Sequence, residues 1–143
     1  MVLVDTPLIL RKIAELEKYY KQIGEFAGIT LDQYVSDWKV QRIVERTLQM
    51  MIETCVDIAN HIISDKEFRT PVTYADAFKV LCENGIITND MLFVMEKMAK
   101  FRNIVVHQYE NIDAAIIITI LKKHLDNFMQ YKDAITRYLQ NSV

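Results

Sequence analysis

Glycine and proline are scarce in this sequence of 143 residues, which contains three glycines and two prolines. So few turn-forming residues argue against a sheet of many short strands and indicate long regular elements, most simply helices. Cysteine is also rare. Cys55 and Cys82 lie in apolar helical patterns and lack the spacing of metal ligands, so we expect reduced packing residues, as in a cytoplasmic protein.

Long apolar runs are missing as well. No run approaches the roughly 20 residues that cross a membrane, and the short apolar stretch at the N-terminus contains Asp5 and Pro7 without a cleavage-like site, unlike a signal peptide. The formal net charge is −2, which argues against a surface that coats nucleic acid but permits a local basic cleft. We expect a single cytoplasmic domain over residues 1–143, with no membrane contact.

Apolar residues recur at steps of three and four, which is the pattern of helices that bury one face. The strand-favouring run at 116–120 does not change this interpretation, because helical spacing continues beyond it and no strand is present to pair with it. We therefore predict an all-α, four-helix up-and-down bundle with one or two additional short helices. Start and stop signals place its helices from a Thr6 cap to the Gly24–Gly28 region, briefly after Thr30, from about Asp37 to Ser64, from Thr73 to Gly85, from Thr88 or Asn89 to the Arg102 region, and from about Asn111 to Gln140.

The helix expected between Asp37 and Ser64 carries a polar stripe. Because its members step by three or four residues, they line one narrow face, which is either a solvated surface with ion pairs or the border of a cleft. Asp57 and His61 lie one turn apart, but no third ligand follows at useful spacing, so no metal site is expected. The stripe consists of Arg42, Glu45, Arg46, Gln49, Glu53, Asp57, Asn60, His61 and Ser64.

Arg102 occupies an unexpected position in the middle of an apolar helix face. A guanidinium stays charged, and burying it without a partner costs much free energy. It therefore needs a carboxylate, a ligand phosphate or a water-filled cleft, and Glu53 and Asp57 are the candidate internal partners. At about 100° per residue, the positions within about 60° of Arg102 are Met95, Met98, Val105, Val106 and Tyr109.

His107 follows Arg102 by five positions and points to a catalytic interpretation. An imidazole titrates near neutrality and can move protons, whereas an arginine can stabilise the charge of a phosphoryl transition state. RNA supplies its own nucleophile in the 2′-hydroxyl. The two side chains can therefore break a phosphodiester without a metal or a cofactor.

The segment from Arg102 to Tyr109, RNIVVHQY, resembles the Arg-x-x-x-x-His-x-Tyr motif of HEPN-domain toxins of the HepT kind. The stretches 46–53 and 57–63 are similar to the central helix of that family, and the helix pattern and length fit over essentially the whole chain. The resemblance implies a HEPN-like homodimer that cleaves RNA as a metal-independent endoribonuclease toxin, with Arg102 and His107 catalytic at a shared cleft. It further implies a partner, a minimal nucleotidyltransferase antitoxin, that transfers AMP to Tyr109.

Helix geometry bears on how such a site would be assembled. On one continuous helix, Arg102 and His107 point about 140° apart, so they cannot hold one phosphate from a single subunit. Assembly from two subunits, usually as a C2 dimer, removes this difficulty. Tyr109 falls about 20° from Arg102 on the same wheel, so an adduct there is expected to crowd the cleft. The expected supporting residues are Asn103, Glu53 and Asp57.

Two alternatives stay open at this point. One is a non-catalytic helical module that binds a nucleotidyltransferase and helps to hold its nucleotide or substrate. The other is a structural helical dimer in which Arg102 only pairs with a carboxylate. Toxicity of the chain alone when it is expressed separates the ribonuclease from the first alternative. The second alternative predicts that replacing Arg102 strongly destabilises the fold and that no RNA is cleaved.

Overall fold

A computed structural model describes residues 4–141, and within that range the chain forms seven α-helices and one short 3-10 turn. The all-α prediction of four main helices is confirmed, although three short α-helices accompany them rather than one or two. The elements are α1 (Thr6–Gly24), α2 (Leu31–Val35), α3 (Trp38–Asp65), α4 (Tyr74–Glu83), α5 (Asn89–His107), the 3-10 turn (Tyr109–Asn111), α6 (Ala114–Lys123) and α7 (Leu125–Asn141).

The central element is α3, a helix of 28 residues that packs against α1, α2, α4, α5 and α7. Its apolar side is buried almost completely, and its two buried threonines satisfy their hydroxyls locally. Thr47 donates to the carbonyl of Ile43 at 2.7 Å, and Thr54 donates to that of Met50 at 2.8 Å. A hydroxyl bonded in this way can be buried without an orphaned donor. The polar stripe is therefore the side of α3 that remains available to solvent and to α5.

Side-chain caps define most of the helix starts. Thr30, Thr73 and Thr88 each accept a hydrogen bond from the backbone N–H three residues later, which satisfies one of the free donors at a helix start. The predictions at these three positions are confirmed, with Thr88 rather than Asn89 as the cap of α5. The predicted cap at Thr6 is wrong by one residue, because the carboxylate of Asp5 accepts from Leu8 N at 3.1 Å and Thr6 is already helical.

The long C-terminal helix expected from about Asn111 to Gln140 is divided in two. The first part, α6, begins only at Ala114 and ends at Lys123, and His124 (φ −124°, ψ 0°) separates it from α7. The Asn127 amide lies 3.1 Å from His124 Nδ1, and this local contact accompanies the break. Periodicity could not show the division because the buried residues on both sides keep helical spacing: Ile118, Leu121, Leu125 and Phe128.

Buried apolar side chains from all seven helices form one continuous core. Tyr131 of α7 is fully buried there and donates from its hydroxyl to the carbonyl of Cys55 on α3 at 2.8 Å. Its ring also contacts Phe78 of α4 edge-on, with 5.6 Å between the ring centroids. Across residues 4–141, no helix combines the length and the apolar character needed to cross a membrane.

Candidate active site

Helix α5 carries both residues of the Arg-x-x-x-x-His motif. It starts at the Thr88 cap and remains helical through His107, its last residue, after which Gln108 leaves the helical region with φ −138° and ψ 42°. Arg102 and His107 therefore belong to one continuous helix, and about 140° separates their directions around its axis. Arg102 faces α3, whereas His107 is exposed at the end of the helix.

The guanidinium of Arg102 is largely buried and is held by two elements. Its side chain is 15% exposed, with Nε 3.1 Å and Nη2 3.0 Å from Glu53 Oε1. Gln49, one turn earlier on α3, donates to the same Glu53 oxygen at 3.0 Å. On α5 itself, Nη1 donates to the side-chain oxygen of Asn103 at 3.3 Å. The predicted pairing of Arg102 with the polar stripe is thus made by Glu53.

Tyr74 covers one face of the same guanidinium. The carbon at the centre of the guanidinium lies 4.4 Å from the centroid of the Tyr74 ring, which is the geometry of a cation–π contact. Tyr74 is the first residue of α4, so a third helix contributes to the surroundings of Arg102. Sequence analysis did not identify Tyr74, because nothing in the spacing of α4 indicates a contact 28 residues along the chain.

These contacts do not use all the donors of Arg102. A guanidinium has five N–H groups, of which Glu53 faces those on the Nε side and Asn103 takes one on Nη1. At least one N–H on each terminal nitrogen therefore has no partner among the described residues. Such terminal N–H groups can bind phosphate or carboxylate oxygens. The structural dimer alternative expected an arginine–carboxylate pair, and this pair is present with Glu53. The pair does not use all the N–H groups of Arg102, so it does not exclude the binding of an anion.

Asp57 is not brought to Arg102. Its side chain is 53% exposed, and its ion-pair partner is Lys12 of α1, with 3.8 Å between Oδ2 and Nζ. Of the two carboxylates that the sequence offered as supporting residues, Glu53 alone contacts the guanidinium in the structure. Within residues 4–141, no group of three or more histidine, cysteine, aspartate or glutamate side chains has a geometry that could hold a metal ion.

Tyr109 lies beyond the end of α5, in the 3-10 turn, and is 64% exposed. The prediction that Tyr109 points about 20° from Arg102 assumed that the helix continues through Tyr109. This prediction is wrong, because the helix ends at His107. Tyr109 instead lines a cavity of about 480 Å³ between the 3-10 turn and the first half of α3. The turn holds its hydroxyl-bearing ring at the surface, close in sequence to His107.

Arg69, in the connection between α3 and α4, binds side chains near both ends of α4, the helix that begins with Tyr74. Its guanidinium binds both carboxylate oxygens of Asp76 at 2.8 and 2.9 Å and both of Glu83 at 2.8 and 3.1 Å. The hydrogen bonds from Arg69, together with the backbone N–H of Val72, lower the pKa of the Asp76 carboxyl from 3.8 to about 2. The network therefore depends on an ionised Asp76.

Replacing Arg69 should change the pH dependence of folding stability. Because the pKa of Asp76 is lower in the folded chain, its ionised form stabilises the fold above the ordinary pKa of 3.8, and this stabilisation disappears as pH falls toward about 2. We expect Arg69→Ala to unfold at a lower temperature than wild type at about pH 5, with a difference that narrows toward about pH 2. Thermal unfolding followed by circular dichroism measures this. Arg11→Ala, an exposed arginine of α1, is the control, and a difference that stays constant with pH would contradict the expectation.

Comparison with known proteins decides the family. The family model described as ribonuclease HepT-like matches residues 16–140, a range that includes Glu53, Arg102, His107 and Tyr109. The chain belongs to the ribonuclease HepT-like family. The resemblance seen in the sequence motif is thereby confirmed over most of the chain.

Individual HepT proteins are similar along nearly their whole length. This HepT-like chain is 34% identical over 128 residues to the mRNA nuclease HepT of Shewanella oneidensis, covering 90% of this chain and 96% of that protein. It is 27% identical over 139 residues to the tRNA nuclease HepT of Aphanizomenon flos-aquae, covering 97% and 95%. Its fold matches the tri-AMPylated Shewanella oneidensis HEPN toxin in complex with MNT antitoxin with a TM-score of 0.83 at 32% identity, covering 90% of this chain and 96% of that one.

Proposed function

We propose that this HepT-like protein is a metal-independent endoribonuclease toxin, active as a homodimer and neutralised by AMP transfer to Tyr109. The observation that carries the proposal is the partly paired guanidinium of Arg102, which is largely buried and oriented by Glu53 and Asn103 yet keeps N–H donors on both terminal nitrogens for a further acceptor. Family membership and similarity to HepT nucleases support RNA as the substrate.

The proposed reaction assigns a distinct step to each side chain. The 2′-oxygen of a ribose attacks the adjacent phosphorus, and the bond from phosphorus to the 5′-oxygen of the next nucleotide breaks. Arg102 binds the phosphate oxygens on which negative charge develops. Two protons move in this step, one away from the attacking 2′-hydroxyl and one onto the departing 5′-oxygen. His107 carries out one of these transfers and water the other. Asn103 and Glu53 orient the guanidinium, because both contact it directly.

A homodimer is proposed because one subunit cannot present both side chains to one phosphate. The helix runs without interruption from Arg102 to His107, and their directions differ by about 140°. In a two-fold dimer, Arg102 of one subunit can face His107 of its partner. One dimer then contains two such shared sites.

Regulation is proposed to act through Tyr109 and a nucleotidyltransferase antitoxin. A solved relative is a tri-AMPylated HEPN toxin in complex with MNT antitoxin, and Tyr109 is exposed enough to enter the active site of another protein. Its phenolic oxygen attacks the α-phosphorus of ATP and forms a phosphodiester, while pyrophosphate leaves and the phenolic proton passes to a base. The adduct adds negative charge two residues from His107 and thereby repels the RNA backbone.

The function is tested with the purified chain and a labelled RNA. We expect cleavage to continue in the presence of EDTA, because arginine and histidine supply the charge and the proton transfer. Incubation with the partner nucleotidyltransferase and ATP should add the mass of AMP to the wild type but not to Tyr109→Phe, and should stop cleavage by the wild type alone. If the unmodified chain leaves RNA intact while still receiving AMP, the non-catalytic binding module is the correct function.

A further inference from the structure

The cavity beside Tyr109 has features of a site for a nucleotide phosphate. Its residues come from α2, α3, the 3-10 turn, the short connection after that turn and α6. Its volume of about 480 Å³ lies within the usual range for small-molecule sites. Tyr109 is one of its lining residues, so a group attached to this side chain has the cavity within reach. The lining consists of Tyr34, Gln41, Arg42, Glu45, Tyr109, Glu110, Ile112 and Ala114.

Arg42 is the basic side chain in this lining, and its guanidinium is only partly engaged. Its Nη1 atom lies 3.3 Å from Glu45 Oε1, and the side chain is 61% exposed. Glu45 is shared, because the hydroxyl of Tyr34 donates to its other oxygen at 3.4 Å. Only the arginine end of this pair is exposed, because the Glu45 side chain is 14% exposed. The pair uses Nη1, so the other N–H groups of Arg42 can take a phosphate partner while the pair stays in place.

The acidic residues of the cavity do not prevent Arg42 from binding a phosphate. Glu45 is already matched by Arg42 and Tyr34, and Glu110 is exposed to solvent, where its charge is screened. A phosphodiester on Tyr109 brings one negative charge and two acceptor oxygens, which suit the planar fork of an arginine.

We propose that the adenylyl group carried by Tyr109 docks in this cavity, with its phosphate bound by Arg42. The inference rests on the proposed function, since it requires AMP on Tyr109, and it deepens that function by naming the residue that retains the modification. The docked adduct stays ordered against α3 beside the end of α5. Arg42 has no part in RNA cleavage, so the unmodified Arg42→Gln protein keeps the activity of the wild type.

The test compares the rates at which a phosphodiesterase removes AMP from Tyr109 in three proteins. Wild type, Arg42→Gln and Arg46→Gln are modified with the partner nucleotidyltransferase and ATP, intact mass confirms the AMP, and a nonspecific phosphodiesterase is added. Arg46 is the control because it is an exposed arginine one turn further along α3 and is not part of the cavity lining. We expect AMP to be lost about tenfold faster from Arg42→Gln than from the other two, as befits the loss of a charge-assisted hydrogen bond.

The possible outcomes distinguish a failure of docking against Arg42 from a failure of the proposed regulation by AMP. Equal rates of AMP loss in all three proteins would overturn docking against Arg42 while leaving the regulation by AMP intact. A failure of Arg42→Gln alone to accept AMP would also overturn it, by assigning Arg42 to the transfer step instead. Absence of AMP from every variant, the wild type included, would refute the proposed regulation itself.

Discussion

Replacing Arg102 by alanine should reduce RNA cleavage by a factor of about 10² to 10³, the usual effect of removing one donor that stabilises transition-state charge. Arg102→Lys should be nearly as impaired, because an ammonium keeps the charge but lacks the planar fork and cannot reproduce the contacts with Glu53 and Asn103. The rate of RNA cleavage by His107→Ala should be lower than that of the wild type by a factor of about 10² to 10⁴, as expected for loss of a general acid or base. Initial rates on a labelled RNA, with EDTA present, measure all three.

Controls separate chemistry from folding in this series. Lys100→Ala removes an exposed cation from the same helix and should cleave RNA nearly as well as the wild type. His107 is exposed, so its replacement should leave the unfolding temperature almost unchanged. Arg102→Ala leaves the Glu53 carboxylate without its partner, so the double variant Arg102→Ala/Glu53→Gln, which removes that unpaired charge, shows whether the loss persists in a stable fold. Undiminished cleavage by His107→Ala would end the assignment of this residue.

Mixed dimers should show that each cleavage site combines two subunits. When Arg102→Ala and His107→Ala chains are co-expressed with different tags and the mixed dimer is purified, one of its two sites has an intact arginine and an intact histidine. We expect about half the activity of the wild-type dimer, although each parent is inactive. The physical reason is the separation of about 140° between the two side chains on α5.

The reciprocal mixed dimer gives the opposite expectation. A wild-type chain paired with the double variant Arg102→Ala/His107→Ala has both functional residues on one subunit, so neither shared site is complete and cleavage should fall to the level of the inactive parents. Sites formed within single subunits would reverse the two results. Inactivity of both mixed dimers would contradict two independent shared sites.

The helical architecture could be predicted from sequence because its determinants are local. Few glycines and prolines, threonine caps and apolar spacing of three and four residues specify where helices form, and the structure places them accordingly. The break at His124 escaped prediction because the apolar positions stay in phase across it and no proline or glycine marks it. The end of α5 at His107 was also missed, since Gln108 carries no strong stop signal.

The candidate site was predictable in part. A charged residue among apolar ones predicted that Arg102 needs a partner, and Glu53 is that partner. The choice between Glu53 and Asp57 required coordinates, because both lie on one stripe and only the offset between α3 and α5 separates them. Tyr74 contacts Arg102, and Arg42 lines the same cavity as Tyr109. Both relations join segments far apart in the chain, which spacing within a single helix cannot reveal.

The attachment of Tyr74 has a consequence for the ionic conditions under which the enzyme works. The segment that places its ring over Arg102 is held by Arg69. The pair of Arg69 with Glu83 lies at the surface, with side chains 46% and 40% exposed, so its attraction weakens as dissolved ions accumulate. In the proposed mechanism, added salt therefore acts on cleavage by two separate routes. It competes with the guanidinium of Arg102 for the RNA backbone, and it weakens the contacts that hold Tyr74 over that guanidinium. The second route alters turnover at saturating RNA, where the first has no influence.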